Sequence, residues 1–172
     1  MRRPSLVLAL ALSVASVASA SRHGMSTSAP MLSSLQGRAF DVAYAQAMIA
    51  HHQSAVTMAQ QELAGGKVAR VKVAAKAVIA AQQQEIELMN RWLKSWNASG
   101  TAPTMHLSRL PAGQTDRWFL TQMIPHHQEA VQMSVVALKD SQTTAVKNLA
   151  RRIIAAQTQE VQQYRAWLRQ LK

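Results

Sequence analysis

Apolar residues recur at spacings of three and four along four stretches of the chain, the period of a helix buried on one face. In the first stretch Asp41, Tyr44, Met48, His51, Ala55, Met58 and Glu62 form one line. Ala45, Ile49, His52, Val56, Ala59 and Leu63 run beside it, while Gln46, Ala50, Gln53, Ser54, Thr57, Gln60 and Gln61 fall on the opposite side. The second stretch has the seam Val71, Ala74, Val78, Ala81, Glu85, Leu88, Trp92 and Trp96. The fourth has Val146, Leu149, Ile153, Ala156, Glu160, Tyr164, Trp167 and Leu171. No segment reads as a β-branched strand bounded by turn residues.

Punctuation sets the ends. The first helix is predicted over 40–64, stopped by Gly65-Gly66, and the second over 68–96, ahead of Asn97-Ala98-Ser99-Gly100. Thr115 is a candidate N-cap for a third helix ending near 139, and Ser141 for a fourth that runs almost to the C-terminus. The linker 97–113 carries Pro103, Pro111 and Gly113. The expected fold is all-α, a four-helix bundle over 39–172 built from two helical hairpins.

The hairpins are copies of one another. Residues 41–96 align with 116–171 at a constant offset and without a gap, and 21 of the 56 positions are identical. Met48-Ile49-Ala50-His51-His52-Gln53 matches Met123-Ile124-Pro125-His126-His127-Gln128, and Met58 matches Met133. Gln82, Gln84 and Glu85 match Gln157, Gln159 and Glu160, and Trp92-Leu93 matches Trp167-Leu168. A duplicated unit of this size buries its apolar face by packing on its twin.

The periodicity puts the unusual residues inside. Both histidines of each pair fall within the apolar face, among Met, Ala and Val. Glu85 and Glu160 fall in the core seams, where an unpartnered carboxylate is costly, so each calls for a histidine from a facing helix. Pro125 interrupts the third helix or marks its start. As an interruption it removes one backbone hydrogen bond, which would re-aim His126 and His127 or free the carbonyl of Thr121. The first repeat has Ala50 there.

Composition narrows the chemistry. The chain has 172 residues, a formal charge of +11 and no cysteine. Disulfides, iron–sulfur clusters and thiolate metal sites are excluded, so any soft ligand is a methionine thioether. The basic residues are scattered along helix exteriors, which reads as a solvated surface rather than a nucleic-acid site. Residues 1–20 read as an export signal: Arg2 and Arg3, an apolar run from Leu6 to Val17, and a small-x-small site at Ala18-Ser19-Ala20. The expected location is periplasmic or secreted, with 21–38 as a flexible lead-in and no membrane span.

Two readings of the Met-x-x-His-His clusters follow. In the first, thioether and imidazole converge on one helix face and bind a soft ion, with copper favoured over zinc, iron or magnesium. His23, Met25, Met31, Met105 and His106 would be auxiliary ligands. In the second, methionine fills gaps and the histidines bond the glutamates, giving a structural or interaction bundle with a polar core and no metal. An enzyme is not expected. A di-iron centre needs more inward carboxylates and a Glu-x-x-His pair, a hydrolase needs a nucleophile turn, and no Cys-x-x-Cys-His attaches a haem.

The run from Phe40-Asp41 through Met48-Ile49-x-His51-His52-Gln53-x-Ala55-Val56-x-Met58, its second copy, and Ile79-x-Ala81-Gln82-x-x-Glu85-Ile86-x-x-Met89-x-x-Trp92-Leu93 closely resemble the bacterial family called domain of unknown function 305. The resemblance covers about residues 38–172. It implies a ferritin-like four-helix bundle, often exported, some members being copper-binding proteins of the cell envelope implicated in copper tolerance. It therefore implies copper, monovalent by preference, on Met48, His51, His52, Met58, Met123, His126, His127 and Met133. Glu85 and Glu160 would orient the histidines, and Met89 joins the set. Its counterpart is Tyr164, so the second repeat is expected to bind differently or more weakly. A homo-oligomer or a copper-handling partner protein stays open.

Overall fold

The structure is a computed structural model, and it describes residues 32, 34–99 and 113–171. The expected leader 1–20, most of the lead-in and of the linker, and His23, Met25, Met31, Met105 and His106 lie outside the described residues.

Four helices make up the described chain: α1 (Gly37–Gly65), α2 (Ala69–Ser95), α3 (Thr115–Asp140) and α4 (Thr144–Gln170). They form a bundle of two hairpins. α1 packs along α2 and α3 along α4, and the hairpins meet where α1 lies against α3. Among the described residues, no helix is long and apolar enough to cross a membrane.

Contacts between α1 and α3 show how the copies are related. Tyr44 Oη lies 3.1 Å from Ser134 Oγ, the His51 and His126 rings touch at a tilt of 34°, and Glu62 meets Asp116. Ascending α1 therefore descends α3, so these helices are antiparallel. His51 and His126 occupy the same position in their repeats and meet at the crossing, as a pseudo-twofold axis between hairpins requires.

The turns are closed by the opposite repeat. Asp116 accepts hydrogen bonds from the backbone N–H groups of Lys67 (3.0 Å) and Val68 (2.8 Å), just ahead of α2. Its counterpart Asp41 accepts from Ser141 Oγ at 2.5 Å and from Thr143 Oγ1, just ahead of α4. Each carboxylate satisfies donors at a helix N-terminus, where the backbone dipole favours negative charge. Burial alone would raise the pKa of Asp116, but the Lys67 and Val68 N–H groups outweigh it and hold the carboxyl below its ordinary range.

Several expectations change. Thr115 is the first helical residue rather than the cap, and Gln114 at the N-cap makes no side-chain bond. Ser141 does not cap α4, which starts at Thr144 after Thr143; its hydroxyl serves Asp41 and accepts from the Thr143 N–H. Pro125 lies well inside α3, so it does not mark the helix start. Leu32 is buried and Leu35 packs on the same cluster, so the end of the lead-in contributes to the core. The predicted seams hold at Val71 and Val78 of α2 and at Val146, Leu149, Ile153 and Tyr164 of α4, and shift by one residue in between and beyond. Gln82 and Gln157 are buried, whereas Ala81 and Ala156 are exposed.

Candidate metal centre

The Met-x-x-His-His positions of α1 and α3 bring four imidazoles into the middle of the bundle. The His51 and His126 rings lie 3.6 Å apart between centroids. Their neighbours differ, because the residue three places after each first histidine differs. His126 Nε2 lies 2.7 Å from Ser54 Oγ and 3.0 Å from the His51 carbonyl. His51 Nε2 instead faces Glu129 Oε2 at 3.6 Å. Ser54 and Glu129 are equivalent positions in the two repeats. Burial pushes the pKa of both imidazoles down, His126 well below its ordinary value, and the neighbouring histidines push it lower still. The Glu129 carboxylate partly offsets this at His51.

The outer histidines are held by their own hairpins. His52 Nε2 lies 2.7 Å from Glu85 Oε2, and His127 Nε2 lies 2.8 Å from Glu160 Oε2. Both rings are fully buried, while the glutamates keep 21% and 30% of their side chains exposed, so the glutamates reach in from the rim rather than standing in the core. His52 Nε2 makes a hydrogen bond to Glu85, whereas His127 Nε2 is within ion-pair distance of Glu160 without a hydrogen bond, and Nδ1 of both rings is buried without a hydrogen-bond partner. A buried nitrogen lone pair or N–H in that position carries the desolvation cost of an unmade bond.

The methionines separate into two groups, one on each side of the histidine layer. Met48, Met89 and Met133 share one buried cluster, with Tyr44. Met58 and Met123 share the other, with Phe119 and Tyr164. Each group takes a methionine from α1 and one from α3. Met48 and Met58 are ten residues apart on a straight run of helix, so the bundle splits them by about 15 Å along the axis. The antiparallel register carries Met133 toward Met48 and Met123 toward Met58. The Tyr164 ring lies 5.7 Å from His127 and 6.1 Å from Phe119. Burial pushes the Tyr44 and Tyr164 phenols up, and Glu160 adds to this at Tyr164.

Among the described residues, no three His, Cys, Asp or Glu side chains are gathered closely enough to hold a metal ion by themselves. An ion held here would draw on methionine sulfur, and the donors the fold supplies, buried thioethers beside a carboxylate-oriented imidazole, fit a soft ion. Sequence periodicity missed Ser54, Glu129, Gln82 and Gln157. Ser54 was read on the outer side of α1, yet it is buried against the other repeat. For the glutamines, identity at equivalent repeat positions was the available signal.

Glu62 stands apart from this layer. It is buried near the α1–α2 turn, and a Cβ on Gly66 would come within 1.9 Å of its Oε1. Gly66 is thus needed for space and not for an unusual backbone angle. Burial, then the nearby Asp116 charge, push the Glu62 pKa up to about 8. The second repeat has Ala137 and Ser141 at the positions of Glu62 and Gly66.

Among solved structures, CopM in the Cu(I)-bound form is 32% identical with a TM-score of 0.71, over 76% of this chain and 96% of that one. CopM in the Cu(II)-bound form is 32% identical with a TM-score of 0.70, over 77% and 98%. A DUF305 fragment from Deinococcus radiodurans is 27% identical with a TM-score of 0.68, over 76% and 96%. No curated protein matches the chain. The family described as Domain of unknown function (DUF305) matches residues 12–93 and 116–172. With most of the sequence so matched, on a bundle shared with solved members, this chain belongs to the DUF305 family.

Proposed function

We propose that the chain is an exported copper-binding protein that sequesters copper or passes it on, with the monovalent ion favoured and no reaction of its own. The observation that carries this reading is the arrangement on each side of the histidine layer, where a buried methionine stands one helical turn before a buried histidine held by a glutamate, Met48 before His52 and Met123 before His127. Thioethers select monovalent copper, and imidazole accepts either oxidation state. Glu85 and Glu160 fix the orientation of His52 and His127, the ordinary service of a carboxylate behind a ligating histidine. The copper-bound forms of the similar protein CopM support the same assignment. In this reading copper is cargo, and export places the protein in the periplasm or outside the cell after cleavage near Ala20.

One observation favours a second reading, a polar core that only sets helix register. His52 with Glu85 and His127 with Glu160 already satisfy part of each other's needs without an ion.

Anaerobic titration with monovalent copper against a competing chelator separates the two, with zinc and divalent copper run alongside. Copper reading: tight stoichiometric binding of the monovalent ion, reduced when His51 and His52 are replaced while helicity is kept. No binding beyond the chelator's threshold, a preference for zinc, or unchanged loading in the double variant would overturn it.

A further inference from the structure

We infer that the outer face of α4 is a docking surface for an anionic phospholipid bilayer, held by charge and without insertion. The docking does not depend on copper. Lys and Arg number 19 against 8 Asp and Glu. Of those acids, Glu85, Glu129 and Glu160 face histidines, and Asp41, Glu62 and Asp116 are buried at the turns. Only Glu87 and Asp140 remain for the outer surface. The fold thus turns its anions inward and leaves a cationic exterior.

On α4 that charge falls on one line. Lys147, Arg151, Arg165 and Arg169 follow at steps of 4, 14 and 4 residues, close to one, four and one helical turns. They span about 33 Å of the helix. The three arginines are exposed and Lys147 is half-buried. Ala155, Thr158 and Gln162 are exposed between them, uncharged and not bulky, so a flat surface can approach along the whole line. The one carboxylate of α4, Glu160, faces His127. No large apolar side chain of α4 is exposed, so nothing wedges into lipid tails. Guanidinium forks match phosphate, and a row of them near an anionic leaflet adds up residue by residue. A flat sheet of phosphates meets the straight row all at once, whereas a nucleic-acid duplex curves away from it.

The duplication supplies a comparison. The equivalent line on α2 is Lys72, Lys76, Asn90 and Lys94, with Glu87 at the position of Gln162. Three lysines and one glutamate leave it at +2, against +4 on α4. Arg152 on α4, and Arg70 and Arg91 on α2, stand off these lines. Lysine also lacks the planar fork, so α4 is the face that docks.

The experiment uses the chain from Ser21 onward, which keeps all four helices. It is sedimented with vesicles of mixed phosphatidylglycerol and phosphatidylcholine, and with vesicles of phosphatidylcholine alone. Binding to the anionic vesicles only is expected, with release as salt is raised. Arg165→Gln with Arg169→Gln should weaken it by roughly tenfold or more. Lys76→Gln with Lys94→Gln removes the same charge from α2 and should weaken it by roughly threefold or less. Glutamine keeps the helix propensity, and circular dichroism checks that both variants fold. No binding to the anionic vesicles, equal losses in the two double variants, or tighter binding to duplex DNA than to the vesicles would overturn the α4 surface.

Discussion

His51 and His126, the same residue in two copies of one hairpin, meet with their rings tilted by 34° at the point where α1 crosses α3. Their surroundings are unequal. Ser54 hydrogen-bonds His126, and the equivalent Glu129 faces His51. Ser54→Ala removes a buried hydroxyl that also donates to the His51 carbonyl at 2.7 Å. The substitution should lower stability by about 1 kcal/mol, read as a lower urea midpoint with an unchanged slope. No change in the midpoint would show that the hydroxyl is dispensable at the crossing.

Metal-free protein should lose stability in mild acid. Burial lowers the pKa of both crossing imidazoles from 6.5, so the unfolded chain binds more protons than the folded one once the pH falls below about that value. Stability is then full above 6.5 and declines below it. Unfolding midpoints measured from pH 7.5 to 5 would trace the decline, and His126→Gln should flatten it.

The Glu62 effect has the opposite sign. Its folded pKa, about 8, lies above the ordinary 4.5. The protonated carboxyl is therefore favoured in the folded state. That stability is complete below about 4.5 and is lost as the pH rises through about 8. Glu62→Gln, which keeps shape and hydrogen-bonding atoms without the charge, should make the variant gain on the parent between pH 6 and 9. A parallel pH profile for the two proteins would remove Glu62 from the account.

Asp41 and Asp116 form a reciprocal clasp, each closing the turn of the other repeat. The bonds differ in kind. Asp116 holds backbone N–H groups, which have no other partner ready, whereas Asp41 holds the hydroxyls of Ser141 and Thr143. Asp116→Ala should cost about 1–2 kcal/mol, in the range of a lost helix cap, and should expose the Lys67 and Val68 amides to faster hydrogen exchange. Unchanged exchange at those amides would argue that the turn holds without the carboxylate.

Much of this architecture was legible in the chain. The three-four spacing of Tyr44, Met48, Ala55 and Met58 marks the buried face of α1, and the constant offset between Met48-x-x-His51-His52 and Met123-x-x-His126-His127 announces the duplication. The pairing of Glu85 with a buried histidine followed from the cost of a lone carboxylate. What escaped depends on the other repeat. Ser54 looks like an outer residue when α1 is viewed alone, and it becomes buried only because His126 crosses there. Gln82 and Gln157 lie one residue past Ala81 and Ala156, where the seams of α2 and α4 were placed; the amides are buried and the alanines exposed, while Val71, Val78, Val146, Leu149, Ile153 and Tyr164 of the same seams are buried as expected. Met48 and Met58 lie on one helical line, which leaves open whether the repeats share one site. Only the antiparallel register of α1 on α3 shows that Met48 shares its cluster with Met133 and Met58 with Met123.

X-ray absorption at the copper edge tests the central claim most directly, on protein loaded anaerobically with monovalent copper. Buried methionine and histidine predict sulfur and nitrogen scatterers around the ion, with the sulfur contribution lost when Met48 and Met123 are both replaced by leucine. A shell of nitrogen and oxygen alone, unchanged by that double substitution, would contradict the thioether sites.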